Sequence, residues 1–150
     1  MTEISFYQLT TTPVEKALPK LLEKIISQGL RTLILTASEE TAETLATQLW
    51  TYHPNSFLPH GTRKDGFVEN QPIFISHLED NPNFSEVLVV LDGRIPISIQ
   101  KFKRALDLFE GRDEEDLKEA EKRWEFYMKE NHTLAYWTQG ADGTWQKTKG

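Results

Sequence analysis

The chain contains no cysteine among its 150 residues. Disulfide bonds, thiolate nucleophiles and cysteine-ligated zinc sites are therefore excluded. Long apolar runs are also missing, because the longest, at 87–91, has the length of a strand and falls far short of the roughly 20 residues that span a bilayer. The amino terminus lacks the basic and apolar regions of a signal peptide. Together these absences predict a cytoplasmic protein.

Glycine is missing from both turns at which a layered α/β protein would hold a phosphate group. The turn at 9–13 reads LTTTP, and the turn at 36–38 reads TAS. A phosphate loop needs glycines so that backbone amides can approach the anion closely. The Gly-Lys-Ser/Thr motif does not occur either. We therefore expect no nucleotide site and no bound cofactor.

Catalytic and metal-binding patterns are equally scarce. The four histidines, His53, His60, His77 and His132, form no pair with metal-ligand spacing, and no serine lies in a Gly-x-Ser-x-Gly motif. Asp92 directly follows the apolar run at 87–91, where P-loop enzymes place a magnesium-binding aspartate, but a turn or helix-capping residue fits the same pattern. We expect no metal site and no catalytic residue. A divergent nucleotide hydrolase that uses Asp92 is an alternative.

The overall charge is acidic, since 17 basic and 23 acidic residues give 17 − 23 = −6. A negative protein repels phosphate backbones, so no tight DNA binding is expected without a segregated basic patch. The last 27 residues are nevertheless rich in aromatic side chains, namely Trp124, Phe126, Tyr127, Tyr136, Trp137 and Trp145. Because bases stack on aromatic rings, direct binding of single-stranded nucleic acid is a further alternative.

Hydrophobic periodicity divides the chain into alternating strands and helices. Strands are predicted at 4–9, 31–36, 56–58, 72–75 and 87–91, and a hairpin at 134–137 and 144–146 that turns at 142–143. Helices are predicted between a Thr12 cap and Gly29, from a Ser38 cap to Trp50, at 97–109 and at 113–130. This order predicts one three-layer α/β domain over 1–150, with a mostly parallel central sheet.

The predicted helix at 113–130 has two different faces. One face carries an apolar stripe that should pack against the core, made of Leu117, Ala120, Trp124, Tyr127 and Met128. An adjacent face carries Lys118, Lys122 and Lys129 together with Glu125, and Arg123 extends its basic character. A solvated surface is the ordinary interpretation of such a face. A site for an acidic peptide with a hydrophobic end is the functional one.

Several short segments, taken in order, resemble one known family. They are SFYQL at 5–9, RTLIL at 31–35, LATQLW at 45–50, SFLPHG at 56–61, QPI at 71–73, YWTQ at 136–139 and GTWQK at 143–147. This ordered set is similar to the chi subunit of bacterial DNA polymerase III. The resemblance covers nearly the whole chain, although each segment is short.

The resemblance implies a nucleotide-binding-like fold without a nucleotide site, and a non-catalytic accessory role in the clamp-loader assembly. It implies two partners, a small psi subunit and the acidic carboxyl-terminal tail of single-stranded DNA-binding protein. Carried over by position, the tail-binding residues are Trp50, Lys118, Lys122 and Arg123. The residues expected at the psi interface are Phe57, Leu58 and His60, with His60 in an exposed loop.

Overall fold

A computed structural model of the protein describes residues 2–50, 60–66 and 71–149, except for the side chain of Trp50. The strands are β1 (Glu3–Leu9), β2 (Thr32–Leu35), β3 (His60–Gly61), β4 (Ile73–Ser76), β5 (Val87–Val90), β6 (Arg104–Glu110), β7 (Thr133–Gln139) and β8 (Trp145–Lys149). The helices are α1 (Val14–Ser27), α2 (Glu39–Trp50) and α3 (Glu114–Lys129). Short 3₁₀ turns lie at Arg63–Asp65 and Ile99–Lys101.

All of these strands join one sheet in the order β3-β4-β2-β5-β6-β1-β7-β8. Every neighbouring pair is parallel except β7 and β8, which are antiparallel. The central strands read as nearly continuous apolar runs because helices cover both of their faces. The predicted, mostly parallel sheet is confirmed. Strand β1 lies between β6 and β7, so the first strand of the chain pairs with two of the later ones.

Two hydrophobic clusters lie on opposite faces of the sheet, which confirms the three-layer prediction. Helices α1 and α2 cover one face through buried residues such as Leu18, Leu22 and Leu45. Helix α3 covers the other face through Ala120 and Tyr127. Among the described residues, no helix is both long and apolar enough to cross a bilayer.

The helix boundaries follow from local chemistry. The Ser38 hydroxyl accepts a hydrogen bond from the Thr41 backbone N–H at 3.2 Å, which confirms Ser38 as the cap of α2. Gly29 has a φ of +76° just after α1, a conformation that glycine adopts without strain, and the helix ends there as predicted. Pro19 lies inside α1 and is buried, and α1 continues past it.

The predicted helix at 97–109 is wrong. Its residues form a 3₁₀ turn and then β6, which pairs with β5 on one side and β1 on the other. The apolar residues at 102, 105, 106 and 109 have spacings compatible with a helix. In the structure, however, the segment 105–109 is a strand whose side chains are buried on both faces of the sheet. Hydrogen bonds to two neighbouring strands outweigh local periodicity here.

The predicted hairpin near the carboxyl terminus is confirmed as β7 and β8, with Gly143 at a φ of +86° in the turn. Thr144 donates two hydrogen bonds to an Asp142 carboxylate oxygen, from its backbone N–H at 3.1 Å and its hydroxyl at 2.7 Å. These bonds lower the pKa of Asp142 below 3.8. The predicted strand at 56–58 lies outside the described residues.

Candidate functional site

Helix α3 carries the predicted tail-binding cations, and its sequence fixes where the helix begins. The Asp113 carboxylate accepts a hydrogen bond from the Asp116 N–H at 2.8 Å, and three further acidic residues occupy the first turn. Negative charge at this end is favourable because the helix dipole is positive there. Ala120, Arg123 and Tyr127, at helical spacing, form the buried stripe of α3.

Lys118 and Lys122 lie on the side of α3 that faces solvent. Lys122 pairs with Glu119, with 3.5 Å between ammonium nitrogen and carboxylate oxygen, and its side chain is 73% exposed. Such exposed pairs contribute only about 0–1 kcal/mol and hold neither side chain firmly. Lys122 is therefore available to an incoming carboxylate, since the new contact would replace a weak one.

Arg123 is on the opposite side of α3, buried beneath these lysines. Its guanidinium donates two hydrogen bonds to the Asp107 carboxylate, at 2.7 Å and 3.0 Å. The two side chains are only 5% and 2% exposed. The guanidinium carbon also lies 5.9 Å and 5.5 Å from the ring centroids of Phe6 and Phe109. Arg123 thus fastens α3 to β6, and most of its charge is compensated inside the protein.

Burial governs the electrostatics around this ion pair. Burial raises the pKa of Asp107, while the hydrogen bonds and charge of Arg123 oppose the rise. Tyr127 lies in the same layer, and burial together with the Asp107 charge raises its pKa. Its hydroxyl is buried and has no hydrogen-bond partner among the residues that the structure describes. The layer under α3 is therefore built for packing, and the accessible charges of α3 are on its solvent side, where acidic residues such as Glu119 and Glu121 accompany the exposed lysines.

The other residues predicted to bind the tail or the psi subunit lie away from α3 along the chain. Trp50 is the last residue of α2, and its side chain is not among the described parts of the structure. Phe57 and Leu58 lie outside the described residues. His60 was expected in an exposed loop, but it lies in β3 and is buried, with its Nε2 3.0 Å from the Ala46 carbonyl oxygen. This contact joins β3 to α2 because the strand is too short to be held by ladder bonds alone.

At the carboxyl edge of the sheet, where nucleotide-binding folds hold phosphate, side-chain oxygens of this protein accept hydrogen bonds from the backbone amides. The Gln139 side-chain oxygen accepts hydrogen bonds from the backbone N–H groups of Thr10, Thr11 and Thr12 at 3.1–3.2 Å. At the next turn, the Asp92 carboxylate accepts one from the Ala37 N–H at 2.9 Å. Each turn therefore has a side-chain oxygen where a phosphate oxygen would bind.

A cleft of about 690 Å³ opens at the same edge, between α2 and α3. Of the described residues that line it, one is basic, Arg123, and six are acidic: Glu15, Glu40, Asp92, Glu110, Asp116 and Glu119. This field disfavours phosphate and carboxylate ligands inside the cleft. Asp92 also has a φ of +60°. Its position just after β5, in a turn, confirms the interpretation as a turn residue. Among the described residues, no three His, Asp or Glu side chains are arranged to hold a metal ion.

Comparison with known proteins decides the family. The model of the family described as DNA polymerase III chi subunit, HolC, matches residues 1–135. The chain belongs to this family. A probable DNA polymerase III subunit chi from Rickettsia prowazekii (strain Madrid E) is 31% identical over 157 aligned residues, which cover 98% of the chain and 92% of the relative.

This chi-family chain is thus an accessory subunit of a replicative DNA polymerase assembly, and its partners lie within that assembly. The geometry adds two features that the sequence interpretation missed, the Asp107–Arg123 pair and the Gln139 contacts. A signal for the first was present, because an aspartate inside the apolar run ALDLF needs a buried partner once that run is read as a strand. Gln139 entered the sequence interpretation only as the last residue of the YWTQ segment, and no chemical pattern marked its contacts.

Proposed function

We propose that this chi-family chain links the clamp loader, through a psi subunit, to the acidic carboxyl-terminal tail of single-stranded DNA-binding protein. The observation that carries the proposal is the solvent face of α3. There, Lys118 and Lys122 lie exposed at i and i+4, held over a rigid, buried stripe. Two cations one helical turn apart suit successive carboxylates of an acidic peptide.

Each predicted residue has a distinct part in this proposal. Lys118 and Lys122 would contact the carboxylates of the tail, and Trp50 would contact its apolar terminal residue. Arg123 would act as a positioning residue, because its bonds to Asp107 set the position of α3. The role requires no catalytic residue in the chain itself.

The psi interface forms the second half of the proposal. Phe57 and Leu58 would supply its apolar contacts. His60 is buried against the Ala46 carbonyl, so it would support the interface by holding β3 on α2. Co-expression with a psi subunit and co-purification would test this half. Phe57→Ala is expected to reduce recovery of the complex without unfolding the chain. Recovery equal to that of the wild type would contradict this part.

The tail site is tested by fluorescence anisotropy with a labelled peptide of the acidic tail and the purified full chain. Lys122→Glu should weaken binding about 2- to 30-fold, because one attraction of about 0.2–1 kcal/mol becomes a repulsion of similar size. Added salt should weaken binding by the wild type. Lys64→Glu, a charge reversal at an exposed lysine outside the proposed site, is the matched control and should have no comparable effect.

Two results would contradict the tail site. One is an absence of peptide binding at low salt, and the other is an equal loss of affinity in both variants. Calorimetry with ATP and Mg²⁺ tests the hydrolase alternative in parallel. Binding heat that disappears in Asp92→Asn would favour that alternative over an adaptor.

A further inference from the structure

The face of the sheet opposite α3 carries a group of aromatic rings near the carboxyl terminus. The rings of Tyr7 and Trp137 lie parallel, with centroids 6.3 Å apart and planes 7° apart. The Trp145 ring meets Tyr7 edge-on at 5.1 Å. We name Tyr7, Trp137 and Trp145 the aromatic platform. Lys147 lies opposite Trp137 in the β7–β8 register and is exposed, so it borders the platform.

The position of α1 leaves part of the platform open. Helix α1 packs on α2 and β6, whereas β7 and β8 lie beyond β1 on the far side of β6. The three platform side chains are accordingly half-buried, although their rings are large and apolar. Lys149 points to the other face, where its ammonium nitrogen lies 5.4 Å from the ring centroids of Trp124 and Tyr136.

Helix α1, which contributes to the core cluster that Tyr7 and Trp145 pack against, carries a stripe of lysines. Lys16, Lys20 and Lys24 follow one another at four-residue spacing, and all three are exposed. Glu15 lines the acidic cleft beside α2. Lys20 and Lys24 lie about 140° and 180° around the helix from Glu15, so they point away from the cleft.

The local charge on this side differs in sign from the charge of the whole chain. The α1 stripe and Lys147 contribute four positive charges, and Glu23 is an exposed acid among them on α1. The acidic residues that line the cleft lie on the other side of α1. This is the segregated basic patch that an acidic protein needs before it can approach a polyanion.

We propose that the aromatic platform and the α1 lysine stripe form a binding site for single-stranded nucleic acid. Bases would stack on the rings of Tyr7 and Trp137, and the phosphates would follow Lys16, Lys20 and Lys24. Stacking accepts any base, so the site is expected to bind without sequence preference. Flat, partly exposed rings favour bases over an acidic peptide, which would use the lysines alone. The site lies across the sheet from Lys118 and Lys122, and it shares no residue with the tail site proposed above.

Fluorescence anisotropy of a labelled oligothymidylate, titrated with the full chain, tests the site. Three or four phosphate contacts at about 0.7 each predict a slope of log K against log salt between about −2 and −3. Affinity should therefore fall roughly 15- to 60-fold between about 50 and 200 mM salt. Lys20→Glu combined with Lys24→Glu should make the slope shallower by about 1.4. Trp137→Ala should weaken binding roughly 5- to 150-fold through the loss of one stacked base.

Matched controls separate this site from other surfaces. Lys129→Glu reverses an exposed charge on α3, and Phe84→Ala removes a ring that is 75% exposed elsewhere. Neither control should change oligonucleotide binding. Lys122→Glu should weaken binding of the acidic tail peptide and leave the oligonucleotide unaffected, so failure of one proposal is distinguishable from failure of the other.

Three outcomes would overturn the inference. They are no binding at low salt, equal losses in the control variants, and a polyglutamate peptide that binds the wild type as tightly as the oligonucleotide does. Circular dichroism establishes whether each variant is folded. If Trp137→Ala does not fold, the lysine variant decides, because its substitutions are on the exposed side of α1.

Discussion

The Asp107–Arg123 ion pair gives the sharpest test of how the fold is held together. Arg123→Met removes the positive charge and keeps an unbranched apolar side chain of similar length. Asp107 then remains in the core, with its side chain 2% exposed and without its bidentate partner. The companion variant, Arg123→Met with Asp107→Leu, removes both charges and leaves an apolar layer.

The structure sets the expected size of the effect. Breaking a buried ion pair from one side costs about 3–5 kcal/mol, because an uncompensated charge stays buried. Folding stability is about 5–15 kcal/mol for a typical domain, so this is a large share. The melting temperature of Arg123→Met should therefore fall by about 6–20 °C. The double variant should recover most of the loss, since apolar replacements of buried pairs are often neutral or stabilising.

Urea unfolding followed by tryptophan fluorescence measures both variants. In Arg123→Met, Asp107 keeps the pKa rise caused by burial and loses the opposing influence of Arg123. Its folded-state pKa then lies above the unfolded value, so the variant is least destabilised at acid pH and loses stability as pH rises through that pKa. A loss under about 1 kcal/mol at neutral pH, or a double variant less stable than Arg123→Met, would refute this account.

Three further predictions concern side-chain hydrogen bonds. Gln139→Ala should cost about 1–3 kcal/mol in urea unfolding, because three part-buried backbone amides between β1 and α1 lose their hydrogen-bond acceptor. The pKa of Asp142, measured by NMR, should lie below 3.8. The contribution of Asp142 to hairpin stability is therefore present at neutral pH and is lost as pH falls through this lowered pKa. In Thr144→Ala the pKa of Asp142 should move up toward 3.8. Tyr127→Phe should keep or raise the urea midpoint, because it removes a buried hydroxyl that has no partner in the described part of the chain. Tyr136→Phe should lower the midpoint, because the Tyr136 hydroxyl donates a 2.5 Å hydrogen bond to the Gln8 side chain.

Sequence patterns predicted the layers of this fold well where burial and local chemistry agree. Apolar runs such as the one at 87–91 became central strands, and the N-cap of α2 and the end of α1 matched their sequence signals. The predicted Thr12 cap was wrong, because the N-cap of α1 is Pro13. The order of strands could not be predicted in this way. Placing β6 between β5 and β1 depends on contacts distant along the chain, and that placement turned a helix-like segment into a strand.

The candidate site was predictable only in part, for a related reason. Exposure of Lys118 and Lys122 follows from helical spacing, since both lie away from the apolar stripe. Burial of Arg123 does not follow from it, because only the tertiary fold brings Asp107 under α3. The sequence predicted His60 in an exposed loop, whereas in the structure it lies in β3 and contacts the Ala46 carbonyl.

The central position of β1 has a consequence for synthesis on the ribosome. The first strand to emerge needs β6 at 104–110 and β7 at 133–139 as partners, so one of its edges cannot pair before residue 104 has been made and the other not before residue 133. Pairing across such long sequence separations is slow, and exposed strand edges invite association with other chains. Ribosomes stalled before residue 133 should therefore carry an incompletely folded, aggregation-prone nascent chain, while release of the last strands completes folding.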